Sequence, residues 1–306
     1  MSDGKKLILL GDCLELMKDI PNGSIDAIIT DPPYGTTSCK WDSVIPFDLM
    51  WEQLNRIIKP NGAILLFGSE PFSSNLRMSN IENYKYDWIW KKSRCGNFQI
   101  AKYQPLKYTE IISVFGKGKV NYYPIYEEAS ASTKSRRQYK MGGLTTGLKH
   151  MASGVYKSEL LHGKDKKNPS NILDFKSQHT NILHPTQKPE LLIEYLINTY
   201  TKENDVVLDF TAGSGTTAIA CLNTNRQFIV MEKEQKYYDI ILKRVADFNK
   251  NFEGRCSNDI LCNHSISFVH NPLILFEEKF VEGWVLVLFY LFLVLRSSID
   301  LPFQQH

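Results

Sequence analysis

The chain has 306 residues, 43% of them hydrophobic, enough for one large domain or a domain plus an insert. Its six cysteines (Cys13, Cys39, Cys95, Cys221, Cys256 and Cys262) show no paired metal-ligand spacing. They read as reduced thiols of a cytoplasmic protein, which sets aside a disulfide scaffold and a bound metal. The net charge of +3 hides an asymmetry: Lys91 to Lys167 holds 16 Lys and Arg against 5 Asp and Glu, about +11, leaving about −8 elsewhere.

In chain order, strand and helix alternate. Leu7 to Leu10 reads as a strand, too short an apolar run for a signal peptide, and Cys13 to Lys18 as a helix. Ile25 to Thr30 is a strand, Leu49 to Ile58 a helix and Ala63 to Phe67 a strand. Strands are expected at Tyr86 to Trp90 and Glu110 to Phe115, with at least one of Trp88 and Trp90 in the core. Beyond the basic stretch, Pro189 to Thr201 reads as a helix with Leu191, Leu192, Tyr195 and Leu196 on one face. A strand at 206–209, a helix from Thr216 to Asn223, a strand from Gln227 to Met231 and a helix from Gln235 to Asn249 follow. The expected fold is an open α/β sheet with its site on loops at the carboxyl ends of the strands.

Two of those loops carry the chemistry. Asp31-Pro32-Pro33-Tyr34 ends the apolar run Ile25 to Thr30. It is suited to gripping an exocyclic amine, a poor nucleophile whose lone pair is delocalised into its ring. Asp31 offers a carboxylate, and Pro32 a carbonyl with no N–H to compete, so both amine protons find acceptors. Pro33 stiffens the loop, and Tyr34 offers a face on which a flipped-out base can stack. The bland alternative is a rigid turn after a strand.

The second loop, Asp209-Phe210-Thr211-Ala212-Gly213-Ser214-Gly215-Thr216-Thr217, follows a strand and opens a helix. Small residues there let backbone approach a ligand, although the spacing is not the full dinucleotide fingerprint. Glu232 ends the next strand, about 20 residues on, where an acid binds ribose hydroxyls. Its alternative is a solvated helix-start residue.

The basic stretch between the loops holds Arg136, Arg137, Lys140, Lys149, Lys164, Lys166 and Lys167, interleaved with Tyr122, Tyr123, Tyr126, Tyr139 and Tyr156. Such a block reads as a footprint for phosphates, with Arg136, Arg137, Lys140 and Lys149 as candidate DNA contacts, against the bland alternative of a solvated insert. Trp41 borders the base pocket or packs in the core.

With these motifs in this order, the chain resembles the beta-group S-adenosylmethionine-dependent DNA amino-methyltransferases, over roughly residues 5 to 250. The resemblance also rests on Gly11-Asp12-Cys13, Trp88-Ile89-Trp90-Lys91-Lys92, Ala101-Lys102, Pro105-Leu106-Lys107, Pro169-Ser170-Asn171-Ile172-Leu173 and His184-Pro185-Thr186-Gln187-Lys188-Pro189. Phe210-Thr211 departs from the family's more usual proline and bulky aromatic.

The resemblance implies a seven-stranded, Rossmann-like methyltransferase fold with circularly permuted motif order. It assigns Asp31, Pro32, Pro33 and Tyr34 to the target base, and Asp209, Phe210, Thr211, Gly213, Gly215 and Thr216 to the methionine end of the cofactor. Glu232 falls at the ribose, Asp12 near the adenine, and Thr186 and Lys188 in the segment that helps hold the cofactor carboxylate. A solvated Lys188 before the helix is the bland reading of that residue.

The expected organisation is a catalytic half at 1–118, a target-recognition insert at 119–180, a cofactor-binding half at 181–250 and an atypical tail at 251–306. The apolar run Trp284 to Leu295 is shorter than the roughly 20 residues that cross a membrane. The expected activity is adenine-N6 methylation of double-stranded DNA, because aspartate heads the tetrapeptide where cytosine-N4 enzymes more often carry serine. Cytosine-N4, RNA or protein-amide methylation and a non-catalytic DNA-binding remnant are the alternatives. A homodimer and a partner restriction nuclease are possible associates.

Overall fold

The computed structural model describes residues 6–36, 42–132, 134, 165–177 and 182–256, with side chains to 250. Its strands are β1 (Lys6–Leu10), β2 (Ile25–Thr30), β3 (Ile58–Gly68), β4 (Tyr84–Lys91), β5 (Thr109–Phe115), β6 (Glu127–Glu128), β7 (Lys166–Lys167), β8 (Ile172–Asp174), β9 (Val206–Asp209) and β10 (Gln227–Glu232). Its helices are α1 (Cys13–Leu16), α2 (Phe47–Ile57), α3 (Phe72–Met78), α4 (Glu190–Tyr200), α5 (Thr216–Asn223) and α6 (Gln235–Cys256).

Eight strands form one sheet in the order β1-β10-β9-β2-β3-β5-β4-β8, where the resemblance implied seven. The additional strand is β8, three residues that pair parallel with the edge of β4. From β1 across to β3 neighbours are parallel, and β5 then runs antiparallel to both β3 and β4. The β2 run Ile-Asp-Ala-Ile-Ile-Thr is buried at every position, as a parallel strand covered on both faces requires. Its one acid, Asp26, accepts from the Val206 N–H at 3.0 Å and pairs with Lys59 at 2.7 Å, tying the start of β9 to β2.

Alternation along the strands makes two apolar layers. Ala27, Ile29, Val207 and Val230 face α4, α5 and α6, whereas Ile28, Leu208 and Ile229 face α1, α2 and α3. Trp88 and Trp90 are both in the first layer, since residues two apart on a strand share a face. The expected face of α4 is corrected: Leu191 is 67% exposed, and the buried stripe is Leu192, Ile193, Leu196, Ile197 and Tyr200. Leu191 lies about one-quarter turn off that stripe. Helix α3 was not anticipated, because its short Ser- and Asn-containing sequence buries only Phe72, Ser73 and Leu76.

Within the basic stretch, residues just after β5 stay on the sheet domain. Asn121 N–H donates to the Asn61 carbonyl at 2.8 Å and Tyr123 N–H to that of Thr199 at 2.7 Å. β6 and β7 pair as a two-stranded ribbon, Glu127 opposite Lys167. Among the described residues no helix is long and apolar enough to cross a membrane. The tail beyond residue 256 lies outside them.

Tyr200, fully buried at the end of α4, accepts from Trp88 Nε1 at 2.6 Å and bonds the Tyr86 hydroxyl at 2.9 Å. Tyr200→Phe leaves a buried indole N–H without its partner. It should lower unfolding stability by about 1–3 kcal/mol in urea titration.

Candidate active site

The strand order places the site. Beyond β9 the chain moves outward to β10, and beyond β2 it moves the other way to β3. β2 and β9 are neighbours, Ala27 opposite Val207 and Ile28 opposite Leu208. Their carboxyl ends therefore flank a topological switch point, where open α/β sheets form a crevice. A cavity of about 300 Å³ opens there, lined by residues that follow β1, β2, β9 and β10.

The two predicted loops meet in this cavity. Thr30 Oγ1, at the end of β2, donates to Asp209 Oδ1 at 2.5 Å and lies 2.8 Å from Thr211 Oγ1. Thr211 Oγ1 donates to the Asp31 carbonyl at 3.1 Å. Thr217 Oγ1 and Thr211 N–H also donate to the Asp209 carboxylate, at 2.6 and 3.2 Å. Both Asp209 oxygens thus serve the loop itself. Burial raises the Asp209 carboxyl to about 6, against the pull of Thr217 and Thr30. Thr211, at the position that departs from the family pattern, is what stitches the second loop to the first. Phe210 next to it is buried in the second apolar layer.

Gly213 and Gly215 have φ of +54° and +77°, conformations that L side chains rarely adopt. A Cβ at Gly215 would lie 2.9 Å from Ile241, and one at Gly213 would face the His184 ring at 3.5 Å. Glu232 Oε2 accepts from Gly213 N–H at 2.8 Å and Oε1 from Glu234 N–H at 2.8 Å. That leaves a fixed carboxylate on the cavity wall with lone pairs to spare. Asp12 caps α1 through the Leu14 N–H at 3.0 Å and also lines the cavity, as do Thr186 and Thr216. His184 Nδ1 accepts from Thr186 N–H at 3.3 Å, and burial lowers this imidazole to about 4, so it stays neutral.

Pro32, Pro33 and Tyr34 line the same cavity. The Tyr34 ring stacks on Phe72, centroids 4.9 Å apart, and its hydroxyl donates to Asp31 and lies 3.2 Å from Glu110. Burial, then the neighbouring Asp31, holds this phenol well above its ordinary range. Gly35 and Thr36 N–H groups both donate to the buried Asp42 at 2.9 Å, which folds the loop back beyond the tetrapeptide.

Lys188 lines the same cavity and is not solvated: Nζ lies 2.5 Å from Asp31 Oδ2 and 2.8 Å from Glu110 Oε1, over the Phe67 ring at 5.0 Å. Glu110 was missed altogether, as were Phe67 and Phe72. The one available signal was an acid at the mouth of the apolar strand β5. Arg136, Arg137, Lys140, Lys149 and Trp41 lie outside the described residues.

A switch-point cavity with a positive-φ glycine loop and an acid one strand away fits the α/β methyltransferase architecture. The chain belongs to the DNA methylase family for N6 and N4 amino groups, whose model matches residues 25–243. It is 29% identical over 280 residues to the type II methyltransferase M.HinfI of Haemophilus influenzae, covering 82% of this chain and 71% of that one. M.BglII of Bacillus subtilis is 30% identical over 272 residues, covering 79% and 70%. Among solved structures, the M1.HpyAVI–SAM complex superposes with a TM-score of 0.53 at 26% identity, covering 78% of this chain and 98% of that one. The PvuII DNA methyltransferase (cytosine-N4-specific) shares the fold with a TM-score of 0.55 at 18% identity, covering 82% and 94%.

Gly213→Val puts a β-branched residue at positive φ on the cavity wall, costing about 1–2 kcal/mol locally. It should cut S-adenosylmethionine affinity at least tenfold in calorimetric titration, and unchanged affinity would remove this loop from the cofactor site.

Proposed function

We propose that this chain methylates adenine N6 in double-stranded DNA, taking the base flipped out of the duplex. The observation that carries the reading is the meeting of the aspartate-headed Asp31-Pro32-Pro33-Tyr34 loop and the glycine loop on one cavity.

The cofactor is S-adenosylmethionine, and the cavity fits it. The glycine loop brings backbone to the wall without side chains, and Glu232 presents a fixed carboxylate suited to ribose hydroxyls. Asp12, Thr186 and Thr216 complete that wall. When bound, the cofactor supplies a methyl carbon already activated by its sulfonium, which leaves as a neutral thioether. No covalent enzyme intermediate is needed.

The chain's own residues then do three things. Asp31 and the Pro32 carbonyl accept the two N–H groups of the target amine, pushing its nitrogen towards tetrahedral geometry. Tyr34 bounds the space for the ring and fixes Asp31 through its hydroxyl. The proton that the methylated nitrogen sheds passes to the Asp31 carboxylate. Position and electrostatics supply the rate.

DNA contact is read from two segments of the basic stretch. One holds Arg136, Arg137, Lys140 and Lys149. The other is the loop from β4 to β5, at the cavity's edge of the sheet. From Lys92 to Tyr108 it has four basic residues and no acid. Phe98 is 75% exposed and Tyr103 87% exposed. Asn97 braces the loop, donating to the Pro105 carbonyl at 3.0 Å and accepting the Lys107 N–H at 2.7 Å. Exposed aromatics among basic residues suit unstacked bases and phosphates. A restriction-nuclease partner, a second copy of the chain and a cytoplasmic location belong to the same reading.

Labelled methyl transfer to unmethylated DNA, followed by nucleoside mass spectrometry, should give N6-methyladenine. N4-methylcytosine would change the base, and label found only on RNA or protein would overturn the reading. Asp31→Ala should abolish transfer while cofactor still binds. Arg136→Glu with Arg137→Glu should weaken DNA binding and flatten its salt dependence by about two units of slope. Phe98→Ala with Tyr103→Ala should weaken DNA binding about tenfold or more in anisotropy titration, with little change in salt slope.

A further inference from the structure

The Asp31 carboxylate does not stand alone. Lys188 bridges it to Glu110, at 2.5 and 2.8 Å, with side-chain exposures of only 9% for Lys188, 19% for Asp31 and 10% for Glu110. Lys92 approaches the far oxygen of Glu110 at 3.4 Å. Tyr34 spans the two carboxylates through its hydroxyl. Two acids and two ammonium groups thus share one largely buried pocket, in electrical balance. Without Lys188, two carboxylates linked through one phenol would repel, and one would take up a proton.

We propose that Lys188 and Glu110 are positioning residues for methyl transfer: Lys188 holds Asp31 ionised and turned to the cavity, and Glu110 shares the ammonium so that Asp31 keeps an acceptor site for the amine. The inference rests on Asp31 gripping the target amine. A carboxylate has about four acceptor positions, and Tyr34 and Lys188 take two of them. If Lys188 belonged to Asp31 alone, it would draw off the electron density that the amine needs. Glu110, held by two cations, anchors Lys188 in between.

The charged and titratable groups around Asp31 are Lys188 before α4, Tyr34 on its own loop, Glu110 on β5 with Lys92 behind it, and Asp209 at the end of β9. Burial raises the Asp31 carboxyl, Lys188 pulls it down and Glu110 pushes it up. Burial works in the same upward direction on Glu110, but Lys188 and Lys92 outweigh it and leave that carboxyl below its ordinary range. Burial works to lower the Lys188 ammonium, and the two acids hold it above its ordinary value. Glu110 faces two ammonium groups and Asp31 only one, so Asp31 is the member that gains a proton first as pH falls.

The test is single-turnover methyl transfer to DNA by the full chain from about pH 5 to about pH 9, with cofactor affinity measured in parallel. Wild type should lose activity on the acid side as Asp31 protonates. Lys188→Met should move that limb up by about one pH unit or more and slow the plateau about 10²-fold. Glu110→Gln should slow the plateau and move the limb down, because a repelling charge is gone and Lys188 falls wholly to Asp31. Lys188→Arg should restore most of the wild-type profile.

Opposite shifts of the two limbs are what a merely structural role cannot produce. If both variants bind cofactor and neither limb moves, the proposal is overturned. If Lys188→Met binds no cofactor, Glu110→Gln decides alone by the direction of its shift. Wild type that binds cofactor yet methylates no nucleic-acid amine overturns the reading of Asp31 and this proposal with it, an outcome distinct from unshifted limbs in an active enzyme.

Discussion

The pairing of β2 with β9 is the constraint on which everything else hangs. These strands come from distant parts of the chain, yet Ile28 lies opposite Leu208 in the centre of the sheet. Their ends are sewn together by hydroxyls, with Thr30 and Thr211 joining Asp209 to the backbone of Asp31. Asp26 does the same at the opposite end of the pair, on the Val206 N–H. In the proposed reaction one loop would grip the acceptor and the other approach the donor, and a strand spacing of about 4.8 Å sets how far apart the two loops start. A packed parallel core fixes that spacing far better than a mobile loop could.

The electrostatics of the site follow from the same burial. For the role proposed for Asp31, a carboxylate accepting hydrogen bonds from a neutral amine works best away from water, which competes for it. Dry surroundings also favour its protonated form. The chain resolves this conflict by spreading two ammonium groups over two acids. Phe67 beneath Lys188 and Phe72 against Tyr34 keep the arrangement compact. His184 stays neutral nearby, so it adds no further charge to this balance.

Much of this was legible in the sequence because the signals were local. An apolar run that stops at Asp31-Pro32-Pro33-Tyr34 or at Asp209 announces a strand and its loop together. The place of Glu232 on the cavity wall followed from spacing. What escaped depended on contacts between remote segments. Nothing local says that Glu110, a single acid at the start of β5, meets Lys188, or that Lys188 bends inward to Asp31. Strand β8 pairs through only three residues, and its Ile172 is exposed, so no periodicity marks it. The buried stripe of α4 was misplaced because several adjacent leucines and isoleucines allow more than one face. That ambiguity is resolved only by what the helix packs on.

The edge pairing of β1 with β10 has a consequence for how the molecule comes into being. Lys6 to Leu10 find their partners at Phe228 to Glu232, and β9 lies between β10 and β2. Among the described strands, β1 therefore waits for β10. Until residue 232 has left the ribosome β1 has no neighbour, and until residue 209 has done so one side of β2 stands open. Such long-range closure makes folding slow and exposes apolar strand edges in the interval. The halves on either side of the basic stretch are interleaved rather than adjacent, so no single cut between them yields two pieces that each own a finished sheet.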